Sequence, residues 1–298
     1  MQFSNPFRKA GRWLRGNTHT HTTQSDGKLT PAQVGAAYGK LNYDFVFLTD
    51  HWKRTLPPPA RGGPLLIAAE ELDFFVRGYE YHVVCLGLKR EWPRRKFRTL
   101  AELTRLAGRE KVLLIMAHPY WCGTPSLRYL NAGPFAGVEV YNTVCDTHIG
   151  KGYSAVHWDD LLDAGKRVWG LAADDLHTTE RQAGAGTLKA IAGGWLMVKA
   201  KTCTPAAILQ AIRGGDFYST QGPLIKDIGV VRQRVRVRCS PVKRINFIAN
   251  RSDGWVCAAG AGPLCEAAYL IPHYCAYVRI ECIDEKGKIA WSNPIFLK

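Results

Sequence analysis

The chain has 298 residues, 46% of them hydrophobic, and a formal net charge of +15. That length can bury one large core, or a large core and a small one, and no apolar run is long enough to cross a bilayer. The basic stretch at residues 1–9 lacks the apolar segment a signal peptide needs, so a soluble cytoplasmic protein is expected, and the charge favours anionic partners.

In chain order, a first helix is predicted over residues 31–41, with Thr30 as N-cap and Pro31 in the first turn. Apolar runs fall at 45–48, 65–68, 112–116, 138–140, 168–171 and 195–198. Helical segments at 100–107, 158–164 and 205–213 lie among them. Short apolar strands alternating with helices indicate a parallel sheet covered on both faces. From about residue 225 the pattern becomes strands without helices, at 234–239, 244–248, 267–271 and 277–282, and residues 284–291 read as a hairpin turn into a last strand. The expected organisation is an N-terminal extension over 1–15, an α/β unit of barrel type over 16–225, and a small antiparallel β domain over 226–298. Arg232, Arg234, Arg236 and Arg238 alternate with Gln233, Val235 and Val237, which predicts a solvated sheet face rather than a nucleic-acid groove. The nine cysteines form no C-x-x-C pair and are expected to be reduced and mostly buried.

Side chains able to hold a metal occur where the apolar runs end. Asn17-Thr18-His19-Thr20-His21 opens the series. Leu48 leads into Thr49-Asp50-His51, Ile67 into Glu70-Glu71, Met116 into His118-Pro119, and Leu171 into Asp174-Asp175-Leu176-His177. In a parallel β/α barrel the C-terminal strand ends share one rim, so these residues are expected to converge. Imidazole and carboxylate without thiolate suit Zn, Mn or Fe. The period-two alternation of an extended chain points His19 and His21 the same way, and likewise Asp175 and His177.

The order of these motifs, with Ser25-Asp26-Gly27 after His19-x-His21, resembles the PHP (polymerase and histidinol phosphatase) superfamily over residues 16–180. The likeness is nearest to the stand-alone hydrolases, including a carbaryl-hydrolase-like branch with a β-rich tail. It implies a distorted seven-stranded β/α barrel and two or three divalent ions. His19, His21, Glu71 and Asp175 would hold the first ion. Glu71 would bridge to a second held with His118. Asp26, His51 and His177 would hold a third. Glu70 is an alternative to Glu71, and the second ion's further ligand is expected to be His148, with Asn142 or His157 behind it.

The function expected is hydrolysis of a phosphorylated small molecule by a metal-bound hydroxide. Asp175 would orient the nucleophile, Glu71 would set the metal spacing, and His148 or His82 would protonate the leaving group. Lys53, Arg54 and Arg181 are candidate clamps for the anionic substrate, and residues 217–223 are a candidate wall of the site. Alternatives are ester, amide or carbamate hydrolysis on the same centre, trimming of nucleic-acid 3′ ends, and a metal-free binding scaffold.

Overall fold

The computed structural model describes residues 3, 5–59, 62–184 and 186–297. The first half runs β1 (Arg12–Asn17), α1 (Pro31–Gly39), β2 (Phe45–Leu48), β3 (Leu65–Ala68), β4 (Glu70–Val76), β5 (Tyr79–Leu86), α2 (Leu100–Glu110) and β6 (Leu113–Met116). There follow α3 (Pro119–Cys122), α4 (Leu127–Leu130), β7 (Gly137–Asn142), α5 (Thr143–Ile149), α6 (Ala155–Asp163) and β8 (Trp169–Ala173). Next come β9 (Glu180–Ala183), β10 (Gly186–Lys189), β11 (Trp195–Ala200), α7 (Pro205–Gly214) and β12 (Phe217–Thr220). The remainder is all strand: β13 (Ile225–Val231), β14 (Arg234–Val242), β15 (Arg244–Ala249), β16 (Gly254–Ala258), β17 (Leu264–Leu270), β18 (Tyr277–Ile283), β19 (Ile289–Ser292) and β20 (Ile295–Phe296).

The helix starts follow local chemistry. Thr30 accepts from the Gln33 N–H while the Gln33 side chain returns to the Thr30 backbone, a complete capping box. Thr99 and Thr204 cap α2 and α7 in the same way, through the N–H groups of Glu102 and Ala207. β14 alternates exposed and buried residues as the sequence predicts, and two of its outward arginines are paired, Arg236 with Glu266 and Arg238 with Asp227.

The mixed α/β architecture differs from a closed barrel. Among the described residues the pairing resolves into a five-stranded sheet, β4-β5-β6-β7-β8, a ten-stranded sheet whose path runs β16-β15-β18-β19-β12-β11-β1-β2-β3 with β20 paired to β18, a three-stranded sheet β13-β14-β17 and the β9–β10 pair. β1, β2 and β3 are mutually parallel, as are β6, β7 and β8, but β4, β5 and β6 pair antiparallel. The reason is local. Arg77 and Gly78 both take positive φ (51° and 81°), the type I′ geometry that folds β4 straight back as β5. On the other flank β1 pairs antiparallel with β11, which leads through β12 to β19. Of the segment 217–223, expected at the site, residues 217–220 form β12 inside this sheet, and none of the segment lines the cavity described below.

The inner faces of the two larger sheets share one apolar cluster that includes Leu14, Phe45, Phe47, Val84, Leu113, Ile115, Leu171 and Leu196. Each such side chain, fully buried, contributes about 1.5–3 kcal/mol. The outer face of the five-stranded sheet is covered by α2 and α6 through Leu103, Trp158 and Leu161. Among the described residues no helix is long and apolar enough to cross a membrane.

One buried cation ties the late strands to the helical layer. Arg279 of β18, 1% exposed, donates from Nε and Nη2 to the two carboxylate oxygens of Asp159 on α6 (2.7 and 2.6 Å) and from Nη1 to Glu281 (2.7 Å). Its guanidinium also lies over the Trp158 ring. Removing one partner of such a pair leaves the other charge buried and uncompensated. Arg279→Ala is expected to cost about 3–5 kcal/mol, read from the denaturant midpoint of unfolding; a loss below about 1 kcal/mol would contradict this assignment.

Candidate metal centre

The two sheets meet where the candidate ligands lie. Isolated parallel bridges join Thr20 to Leu176 and His51 to Glu71, so the ends of β1, β2 and β8 and the start of β4 are drawn together. The β6–α3 junction brings His118, whose φ is +27°, and Asp175 beyond β8 has φ +57°. Positive φ at two bulky non-glycine positions is backbone strain of the kind held at functional sites. Gly27 serves the same assembly: a Cβ there would lie 2.5 Å from the His21 carbonyl carbon, so only glycine lets this loop close over the His21 backbone.

At the centre, His19 Nε2 lies 3.1 Å from Glu71 Oε2, 3.1 Å from Asp175 Oδ1 and 3.1 Å from His21 Nε2. His21 Nε2 lies 3.1 Å from Glu71 Oε2 and 3.2 Å from Asp175 Oδ1. All four side chains are buried. Donor atoms about 2.0–2.2 Å from a shared cation stand apart by about this much. Two imidazole nitrogens facing each other across 3.1 Å have nothing to gain from one another unless a cation or a proton lies between. Asp175 Oδ1 is buried and makes no hydrogen bond, and the same is true of His51 Nδ1. These donors fit a divalent metal ion.

Further groups adjoin this one. His21, Asp26, His51 and His177 form a second set of converging donors, at the half-exposed side. His51, Glu71 and His82 form a third, with His82 Nδ1 3.0 Å from Glu71 Oε1, and His118 joins Asp175 and Cys145 in a fourth. His118 Nε2 is also 3.4 Å from Glu71 Oε1, so Glu71 reaches the first group through one oxygen and His82 and His118 through the other.

The surrounding hydrogen bonds fix which nitrogen faces inward. His19 Nδ1 donates to Glu139 Oε1 (2.7 Å), which leaves Nε2 as a lone pair at the centre. His177 Nδ1 donates to its own loop at Asp175 O, leaving Nε2 towards Asp26. Glu139 Oε2 accepts from the His118 backbone N–H and from Asn142 Nδ2. One carboxylate thus positions two candidate ligands. Neither Glu139 nor Cys145 was legible as a site residue from motif spacing. A glutamate inside an apolar, wholly buried strand was the available signal for the first.

Electrostatics show what the site lacks without cations. Burial opposes the charged form of His19, but Asp175, Glu71 and Glu139 outweigh it and raise its pKa well above the ordinary value. For His21 burial is likewise outweighed by Asp175 and Glu71, which lift it to about 9. Burial disfavours ionised Glu71 and Asp175 too, yet the neighbouring imidazoles hold both well below the usual carboxylate range. The carboxylates call for positive charge, and protonated histidines supply it where metal is absent.

The other sequence candidates fall in different places. Glu70 faces away from the cluster and accepts the Trp92 N–H; burial raises it to about 7. Asn142 caps α5 by accepting from Cys145 N, so its oxygen is spent. His157 packs near Tyr120 on α6 and joins none of the donor groups. His148 is exposed on the cavity wall and joins none of them either; the thiol of Cys145, on the inward side of the same short helix α5, stands beside His118 and Asp175 instead. Lys53 and Arg54 do not reach the site: Lys53 pairs with Glu91, Arg54 Nε donates to Leu88 O, and both line a separate cleft. Arg181 does line the cavity, and among the described residues no acid or hydrogen-bond acceptor holds its guanidinium. That cavity, about 380 Å³, opens onto His51, His82, His118, Asp175 and His177.

Fold and centre together define a mixed α/β protein with a buried imidazole–carboxylate cluster built for divalent cations. No family model and no curated protein sequence matches the chain. Among solved structures it is similar to a two-domain protein from Bacteroides vulgatus containing a predicted PHP-like metal-dependent phosphoesterase, at 14% identity and TM-score 0.49, over 99% of this chain and 100% of that one. It is also similar to a protein from Bifidobacterium adolescentis named as a metal-dependent phosphoesterase, at 12% identity and TM-score 0.37, over 58% and 92% of the two chains. An amidohydrolase from Chromobacterium violaceum is similar at 13% identity and TM-score 0.40, over 58% of this chain and 91% of that one. At such identities and TM-scores the chemistry has to be read from the side chains themselves.

Because Glu139 sets the His19 tautomer, Glu139→Gln is expected to weaken metal binding about 10–100-fold while leaving the far-ultraviolet dichroism unchanged. Competition against a chromophoric chelator measures this, and unaltered affinity would exclude the orienting role.

Proposed function

We propose that the protein is a metal-dependent hydrolase of the PHP type and that its substrate is a phosphorylated small molecule. The observation that carries this reading is the buried set His19, His21, Glu71 and Asp175, with donor atoms 3.1–3.2 Å apart and two orphaned polar atoms in or beside it. Adjoining donor groups around Glu71 and Asp26 make room for two or three divalent ions, Zn, Mn or Fe. The chemistry such ions supply when bound is the acidification of water toward neutral pH and the neutralisation of charge on phosphoryl oxygens.

The chain's own residues do the rest. Glu71, reaching one donor group with each oxygen, holds the groups in register. Asp175, open to the cavity, accepts a hydrogen bond from the attacking water and aligns it. Arg181, paired with no acid among the described residues, binds the substrate's negative charge. His148 stands exposed on the wall, where it can return a proton to the departing alkoxide, and His82 is the alternative donor deeper in. The net charge of +15 concentrates anions near the mouth and favours a phosphoester over a neutral ester or amide.

Exhaustive chelation is expected to lower activity at least about 100-fold, with Mn or Zn restoring it. Asp175→Asn is expected to lower kcat about 100-fold or more in the metal-loaded protein. Assays with p-nitrophenyl phosphate, its bis-ester and p-nitrophenyl acetate check the substrate class. Full activity in the stripped protein would end the metal reading, and turnover of the acetate alone would move the reaction to carbonyl substrates.

A further inference from the structure

The donor groups account for only part of the cavity. The remaining wall is formed by Trp121, Val144 and Ala190, with Thr178, His148 and Arg181 as its polar members. Trp121 stands nearly perpendicular to the rings of His118 and His82, at 83° and 73° and centroid distances of 5.1 and 5.6 Å. A broad aromatic surface therefore rises directly beside two donor imidazoles. Arg181, another lining residue, sits on the β9–β10 hairpin opposite Leu188, which is 42% exposed. Directly paired residues share a sheet face, so Leu188 lies on the same face of the hairpin as Arg181, outside the cavity lining.

Resting on the phosphoesterase reading, we infer that the group esterified to phosphate is apolar and ring-bearing, lodged between Trp121 and Val144, rather than a sugar or polyol. A sugar carries several hydroxyl groups, each losing its water on entry and each needing a partner. The wall offers a threonine hydroxyl, a mouth histidine and one guanidinium that the phosphate claims. An aromatic or aliphatic ring needs none of these. It gains from covering Trp121 and Val144, and about 380 Å³ is ample for one ring and a phosphoryl group. Pockets of this kind discriminate about 10–200-fold per added apolar group.

The test separates recognition from turnover. With the full, Zn-loaded chain, calorimetry compares benzylphosphonate with methylphosphonate, neither of which can be hydrolysed at an ester. Benzylphosphonate is expected to bind at least about tenfold tighter, and Trp121→Ala is expected to collapse that ratio toward one. If Trp121→Ala melts below the assay temperature, Val144→Asn makes the same comparison from α5. In turnover, benzyl phosphate is expected to exceed glycerol 1-phosphate at least about tenfold in kcat/KM; both expel a primary alkoxide, so intrinsic reactivity is matched. Equal binding of the two phosphonates, or a preference for glycerol 1-phosphate, overturns the inference and leaves the phosphoesterase reading intact. Failure of both phosphonates to bind the metal-loaded protein overturns the phosphoesterase reading and this inference together.

Discussion

The structure turns on the burial of Glu71 and Asp175. Each carboxylate is taken out of water into contact with imidazoles on other elements, and burial alone would drive both to the neutral acid. They stay ionised because positive charge is held against them, whether on protonated His19 and His21 or on metal ions. An uncompensated buried carboxylate costs several kcal/mol, comparable with the whole stability of a domain. The sheets must therefore deliver cation-binding groups and carboxylates to one place together, and the unusual features of the fold follow from that demand.

Adjacent residues divide the labour. Glu71 points into the cluster while Glu70, one step along the strand, points out to the Trp92 amide. Asp175 points in, and Asp174 points out to collect five donors: the N–H groups of Ala192, Gly193 and Gly194 and the hydroxyls of Thr143 and Tyr38. His51 points in, and Asp50 accepts from the Thr22 backbone and from the hydroxyls of Thr22, Ser25 and Thr55. In each pair one side chain serves the centre and its neighbour fastens the loops around it. Alternation along extended chain produces this division at Glu70 and Glu71, whereas at Asp174 and Asp175 the left-handed turn at Asp175 (φ +57°) contributes to it.

The same periodicity explains part of what could be read beforehand. His19-x-His21 and Asp175-x-His177 are legible as paired donors just past apolar runs that stop at polar residues, although the positive φ of Asp175 means that strand alternation is not what brings the second pair together. The helix start at Thr30 is legible because capping is local chemistry. Closure of the sheet was not, because it depends on which strands pair across the chain. The Arg77-Gly78 turn that diverts β4 into β5 lacks the Asn-Gly or Asp-Gly signal of such turns. Glu139 lies inside an apolar run and belongs to no motif, although a buried carboxylate requires partners. His148 is exposed although its residue type suits a ligand, while Cys145, three residues earlier, takes the inward side of the same short helix.

The central claim is that the buried cluster is completed by metal ions rather than by protons. Elemental analysis of the full chain, purified without chelator and dialysed against metal-free buffer, tests it most directly. At least two equivalents of a divalent transition metal per chain are predicted, lost together when His19 and Glu71 are both replaced by alanine. A wild-type protein that carries no stoichiometric metal, and takes up none when Zn or Mn is supplied, would contradict the account.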